Sequence, residues 1–112
     1  MTFSALLFLV LASSPWRTVE ATAYCADRGD VVRDGSSADW TRRTVAVDPR
    51  HYSLGTVIEV CFDDGTCRRY TARDTGADIQ GPGRLDILVR SCGYAREFGR
   101  QSVKVRVVRR GR

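Results

Sequence analysis

From Glu20 onward, short apolar runs alternate with breaks of Gly, Pro and Asp, a rhythm that predicts brief strands joined by tight connections. EATAYC, beginning at Glu20, mixes β-branched and aromatic residues and is the first expected strand. Thr44 to Val47 makes a second, stopped by Asp48-Pro49 because Pro lacks the ladder donor and restricts the residue before it. VIEVCF, entered through Leu54-Gly55-Thr56, and CRRYTARD flank Asp63-Asp64-Gly65-Thr66, a hairpin by its Asp-Gly signal. Leu85 to Val89 is a further apolar strand. Val103, Val105 and Val107 then alternate with Ser102, Lys104 and Arg106, a period of two with one face buried. One helix is expected, with Ser91 as N-cap, Tyr94, Ala95 and Phe98 on one face, and Gly99 at its end. Six or so short strands with a single helical turn predict an all-β fold, a small closed β-barrel.

The hairpin can be registered on paper. Setting Cys61 opposite Cys67 also sets Glu59 opposite Arg69 and Ile58 opposite Tyr70, a charge pair and an apolar pair on alternate faces. Val60 opposite Arg68 is the mismatch. Four cysteines allow three pairings; this register favours Cys61 with Cys67, leaving Cys25 with Cys92. Zinc is the weaker reading, since there is no C-x-x-C pair and the single histidine, His51, is remote from every cysteine in sequence.

The intervening segments carry the candidate chemistry. Ala26 to Arg43 is rich in Asp, Gly and Ser and forms a long loop, and loops of that length in a small domain tend to be functional. Its Trp40 is a candidate sugar-stacking platform or, alternatively, an aromatic pinned on the core. Asp74-Thr75-Gly76 opens a glycine-punctuated loop that runs to Gly83. The terminal RRGR is expected to be frayed and solvated. Asp48, Asp74 and Asp86 each sit where an apolar run meets a turn, so the three carboxylates can converge on one cleft. Asp48 and Asp74 are also good turn formers through Asx hydrogen bonds. Asp86 lies within an apolar strand and has no such excuse.

A chain of 112 residues holds one domain, expected over 20–108. The formal charge of +5 calls for an anionic partner, but the basic residues are scattered as singles and pairs, which disfavours nucleic acid. Met1 to Ala12 is an apolar block too short to span a bilayer and of the length of an export-signal core, although no Lys or Arg precedes it. Val10-Leu11-Ala12 and Val19-Glu20-Ala21 are its candidate cleavage sites. With export, an even cysteine count reads as two disulfides and a secreted or wall-associated location.

TAYC, TVAVDPRHYSLGT, ARDTGADIQG, RLDIL and AREFGRQSVKVRVV, in that order, resemble the 3D domain, named for its three aspartates. The resemblance spans about Thr22 to Val108. It implies a six-stranded double-psi β-barrel related to catalytic domains of lytic transglycosylases and, more distantly, to RlpA-like and expansin-like proteins. Ser53 and Ala77 stand where the family usually has Pro and Gly. The implied partner is peptidoglycan or another anionic wall polysaccharide, bound by a monomer without a cofactor. The resemblance implies the acid/base role for Asp86. Asp74 would tune it or stabilise positive charge on the sugar, Asp48 would orient the site, and Thr75 and Gly76 would shape the cleft floor. A non-catalytic wall-binding or expansin-like module is the alternative. A divalent-cation site made by the three aspartates is weaker, because Arg73 and Arg84 would oppose the cation.

Overall fold

The computed structural model describes residues 14–112; the expected export segment, residues 1–12, lies outside them. Six strands form in chain order: β1 (Arg17–Tyr24), β2 (Thr44–Ala46), β3 (Val57–Cys61), β4 (Cys67–Asp74), β5 (Arg84–Leu88) and β6 (Gln101–Arg109). One helix, α1 (Cys92–Phe98), lies between β5 and β6. The strands close in the order β1-β5-β2-β4-β3-β6. Two of the pairings, β1 with β5 and β2 with β4, are parallel, and the others are antiparallel. This is the double-psi barrel, in which distant parts of the chain are brought side by side.

Alternation along the strands builds the core. Val19 and Ala21 of β1, Leu85 and Ile87 of β5, and Val103 and Val105 of β6 point inward, joined by Val45, Ile58, Val60, Tyr70 and Ala72. The residues between them face outward, so the outer face of β1 and β5 carries Thr22 and Asp86. Ser91 caps α1 by accepting from the Tyr94 N–H at 3.0 Å, and Gly99 ends it at φ 61°, a conformation that favours glycine.

The hairpin adopts the paper register, including Val60 opposite Arg68. The mismatch carries little penalty because β4 overruns the core: Tyr70 and Ala72 fill the interior, while Arg68 on the same face reaches the barrel mouth and is exposed. Glu59 stands opposite Arg69 but pairs with Arg106 of β6, at 2.8 Å. Disulfides join Cys61 to Cys67 and Cys25 to Cys92.

Two boundaries differ from expectation. β1 begins at Arg17, three residues before Glu20, because Arg17 to Val19 find partners in Val105 to Val103 of β6. The candidate cleavage site Val19-Glu20-Ala21 therefore falls within β1. The terminal RRGR is not simply frayed. The Gly111 N–H donates to Thr56 Oγ1 at 2.9 Å, and its carbonyl accepts from Ser53 Oγ at 3.1 Å. A Cβ at Gly111 would run into the Leu54 carbonyl, so only glycine fits against that loop.

Candidate active site

Strand pairing sets four residues in one row across the barrel wall. Thr22 of β1 pairs with Asp86 of β5, Asp86 with Ala46 of β2, and Ala46 with Asp74 of β4. Asp86 and Asp74 thus flank one alanine from its two sides. A register shift between Val45 and Ala46 puts Asp74, in place of Arg73, beside Ala46. Such a bulge re-aims the side chains that follow it. Here it exchanges a cation for a carboxylate.

Thr22 Oγ1 donates to Asp86 Oδ1 at 2.9 Å, and among the described residues no protein donor meets Oδ2. Burial pushes the Asp86 carboxyl above the ordinary aspartate value, and the nearby Asp74 pushes the same way. The Thr22 hydrogen bond and the charge of Arg84 oppose that rise. Arg84 is drawn aside by Glu20, 3.2 Å away, which also takes Arg100 at 2.7 Å. Arg73 is likewise diverted, to Asp34 at 3.9 Å and the Arg42 carbonyl at 3.2 Å.

Asp74 is held at both oxygens. Oδ2 accepts from the Tyr24 hydroxyl at 2.7 Å and Oδ1 from the Arg33 N–H at 3.0 Å. Burial, reinforced by the bond to Asp74, holds the Tyr24 hydroxyl well above its usual range and thus protonated, as a donor. The Arg33 contact gives the long loop a defined role. A bridge between Val31 and Ser37 and the buried Val32 fold 26–43 compactly enough to place that N–H on Asp74.

Asp48 has a different setting. It is 3% exposed, and its carboxylate accepts from Arg50 Nε at 3.0 Å, Arg50 Nη2 at 2.7 Å, the Arg50 N–H at 3.0 Å and the Gly81 N–H at 2.8 Å. The Arg50 side chain, followed by the Gly81 N–H, holds it well below the usual carboxylate range. Asp48 welds the Pro49–Tyr52 turn to the loop before β5 and is not in the row with Asp74 and Asp86. Among the described residues no group of three or more His, Cys, Asp or Glu side chains converges as a cation site.

Thr75 follows Asp74 at a half-buried position, and the Gly76 carbonyl accepts from the Ile79 N–H at 3.0 Å in an exposed turn. Trp40 lies in a short 3-10 turn, Trp40–Arg42, and is 49% exposed. It lines a cleft of about 610 Å³ at one barrel mouth, with Tyr70, Tyr94 and Phe98, and none of the three aspartates reaches it. The carboxylates of that cleft, Asp63 and Asp64, belong to an exposed hairpin turn. The half-buried carboxylates, Asp74 and Asp86, lie instead in the row. Thr22, Tyr24 and Glu20 are the site residues that sequence reasoning missed. Thr22 and Tyr24 alternate with alanines in EATAYC, which marks them as outward-facing polar positions and is the one signal that could have found them.

The family model for the 3D domain matches residues 43–109. The SPbeta prophage-derived uncharacterized protein YorM of Bacillus subtilis is 39% identical over 64 residues, covering 57% of this chain and 26% of that protein. The chain thus spans about a quarter of that relative. Among solved structures, the expansin of Clavibacter michiganensis superposes with a TM-score of 0.66 at 21% identity, over 88% of this chain and 52% of the expansin. The lytic transglycosylase LtgG of Burkholderia pseudomallei superposes with a TM-score of 0.57 at 24% identity, over 73% of this chain and 27% of LtgG. At these identities the structural likeness speaks for the fold. The family model spans more than half of the 112 residues, and the chain belongs to the 3D domain family.

Proposed function

We propose that the protein acts on peptidoglycan as a lytic transglycosylase, cleaving the bond between N-acetylmuramic acid and N-acetylglucosamine. The observation that carries this reading is a half-buried Asp86 with a raised pKa and one oxygen free of protein donors, set one residue across from Asp74. Asp86 donates its proton to the glycosidic oxygen as the C1–O bond breaks. The resulting carboxylate takes the proton of the muramoyl 6-hydroxyl, whose oxygen closes on C1. The product is a 1,6-anhydro sugar, no water is consumed, and Asp86 ends protonated. Asp74, fixed by Tyr24 and the Arg33 N–H, cannot swing to share this proton transfer and instead faces the positive charge developing on the sugar. Asp48 supports the loop before β5 from outside the row. The two disulfides suit an extracytoplasmic location. Among the described residues no helix is long and apolar enough to cross a membrane.

A second reading, a module that grips wall polysaccharide without cutting it, is favoured by the expansin likeness, which covers more of the chain than the LtgG likeness does. Digestion of purified peptidoglycan by the oxidised protein, followed by mass spectrometry of the soluble products, separates the two. Anhydro-muropeptides that vanish with Asp86→Asn are the expected result. Their absence between about pH 4 and 8, while the protein still sediments with the wall, would leave the binding module.

A further inference from the structure

The barrel mouth opposite Trp40 holds a cleft of about 390 Å³ in which the charged side chains are all cationic: Arg17, Arg106 and Arg110 line it beside His51, and no carboxylate does. Arg106 is already engaged, with Glu59 at 2.8 Å and over the Trp16 ring at 4.9 Å. Arg17 and Arg110 have no ion-pair partner among the described residues. Arg17 is placed by strand alternation, since it shares a face with the inward Val19 and Ala21 and so projects into the open end of the barrel. There its guanidinium stands near the Tyr52 hydroxyl, which donates to the Pro82 carbonyl at 2.7 Å.

The entry to β1 and the C-terminal tail are both fastened around this mouth. Ser14 Oγ donates to the Val107 carbonyl at 2.7 Å and accepts from the Val107 N–H at 3.0 Å, which holds the entry to β1 against β6. On the other wall, Gly111 is clamped by Ser53 and Thr56, so the preceding Arg110 leaves a fixed point. Like charges gathered on fixed backbone repel one another unless an anion lies between them, and guanidinium forks suit the paired oxygens of phosphate and carboxylate.

From this we infer that the mouth formed by Arg17, His51 and Arg110 is an oxyanion-binding site, separate from the carboxylate row, that takes a phosphate or carboxylate group of an anionic polymer. It holds the protein on its polymer while the row is free to engage glycan. That the polymer belongs to a cell wall rests on the reading above; the binding of a simple oxyanion does not.

The probe is pyrophosphate, titrated at about 0.1 M ionic strength, where the Debye length is about 10 Å, into the oxidised protein and followed by NMR. Signals of Arg17, His51, Tyr52 and Arg110 are expected to move together. Arg17→Gln/Arg110→Gln is expected to weaken binding at least roughly tenfold, the loss of a charge-assisted hydrogen bond, with the melting temperature unchanged. Arg42→Gln/Arg96→Gln removes the same charge outside the cleft and is expected to leave the affinity within about twofold of the parent, because exposed charges beyond a Debye length are screened. Equal weakening by both double variants, or shifts that map elsewhere, would overturn the site. Retention on poly(glycerol phosphate) or on poly-γ-glutamate, lost in the Arg17/Arg110 variant, assigns the group to phosphodiester or carboxylate. Retention of both polymers by that variant overturns the proposal.

Discussion

Asp48 and Asp86 are carboxylates of opposite character, and their effects on stability should run in opposite directions with pH. Asp48 is depressed by Arg50 and Gly81, so the stability it contributes is complete above the ordinary aspartate pKa of about 3.9 and is lost as the pH falls through the lower folded value. Asp86 is raised by burial, so the folded state loses stability as the pH climbs from that ordinary value through the higher folded one. At pH 7 Asp48→Asn should lower the melting temperature and Asp86→Asn should raise it. Both differences should shrink below about pH 4, and melts from pH 3 to 8 would read them. Destabilisation by Asp86→Asn at pH 7 would show that the buried charge is not the cost described here. Thr44 offers a third single-residue test. It is fully buried and its Oγ1 has no hydrogen-bond partner. Thr44→Val keeps the shape and removes the orphaned hydroxyl, and should add about 1 kcal/mol in urea denaturation.

At the level of elements, the clasp between β1 and β5 sets the electrostatics of the row. Glu20 lies opposite Arg84 in register and competes with Asp86 for its guanidinium. Glu20→Gln should release Arg84 toward Asp86, lower the carboxyl pKa and move the alkaline limb of any Asp86-dependent cleavage to lower pH. A carboxyl-carbon NMR titration of Asp86 reads the same shift without relying on activity, and an unmoved titration would rule out the competition. Elements like these were legible in the sequence to different degrees. Strand β6 announces itself through period-two alternation and β3 and β4 through the Asp-Gly turn between them, with the hairpin register set by facing cysteines. The row was only half visible. Its two aspartates stand out because each interrupts a regular pattern, whereas Thr22 reaches Asp86 across 64 residues through the parallel pairing of β1 with β5, and Tyr24 reaches Asp74 of β4 across 50. The bulge that replaces Arg73 with Asp74 is a tertiary fit between β2 and β4 and has no local marker. Asp48, the best turn former of the three aspartates, proved to be held as one, with its carboxylate filled by Arg50 and Gly81.

For the whole molecule, the staples and the chain ends decide how the barrel stays closed. Cys25 and Cys92 are 67 residues apart, and Cys61 and Cys67 only 6. Loop-closure entropy makes the long bridge worth about 4 kcal/mol and the hairpin bridge about 2. Replacing each pair by serines should therefore lower stability in that order, and the reverse order would mean that native-state packing outweighs chain entropy. The last rungs of the barrel depend on a smaller clasp. Gly111 sits where a Cβ would meet the Leu54 carbonyl and come within 2.7 Å of the Thr56 nitrogen, so Gly111→Ala must lift the tail away. That change removes the Ser53 and Thr56 hydrogen bonds and should cost about 1–2 kcal/mol. A chain ended at Arg109 lacks the same clasp and should match Gly111→Ala in stability, and in faster amide exchange of the Ser53–Thr56 loop. If Gly111→Ala behaves as the parent while the shortened chain does not, the side chains of Arg110 and Arg112, and not the glycine clasp, hold the end of β6 in place.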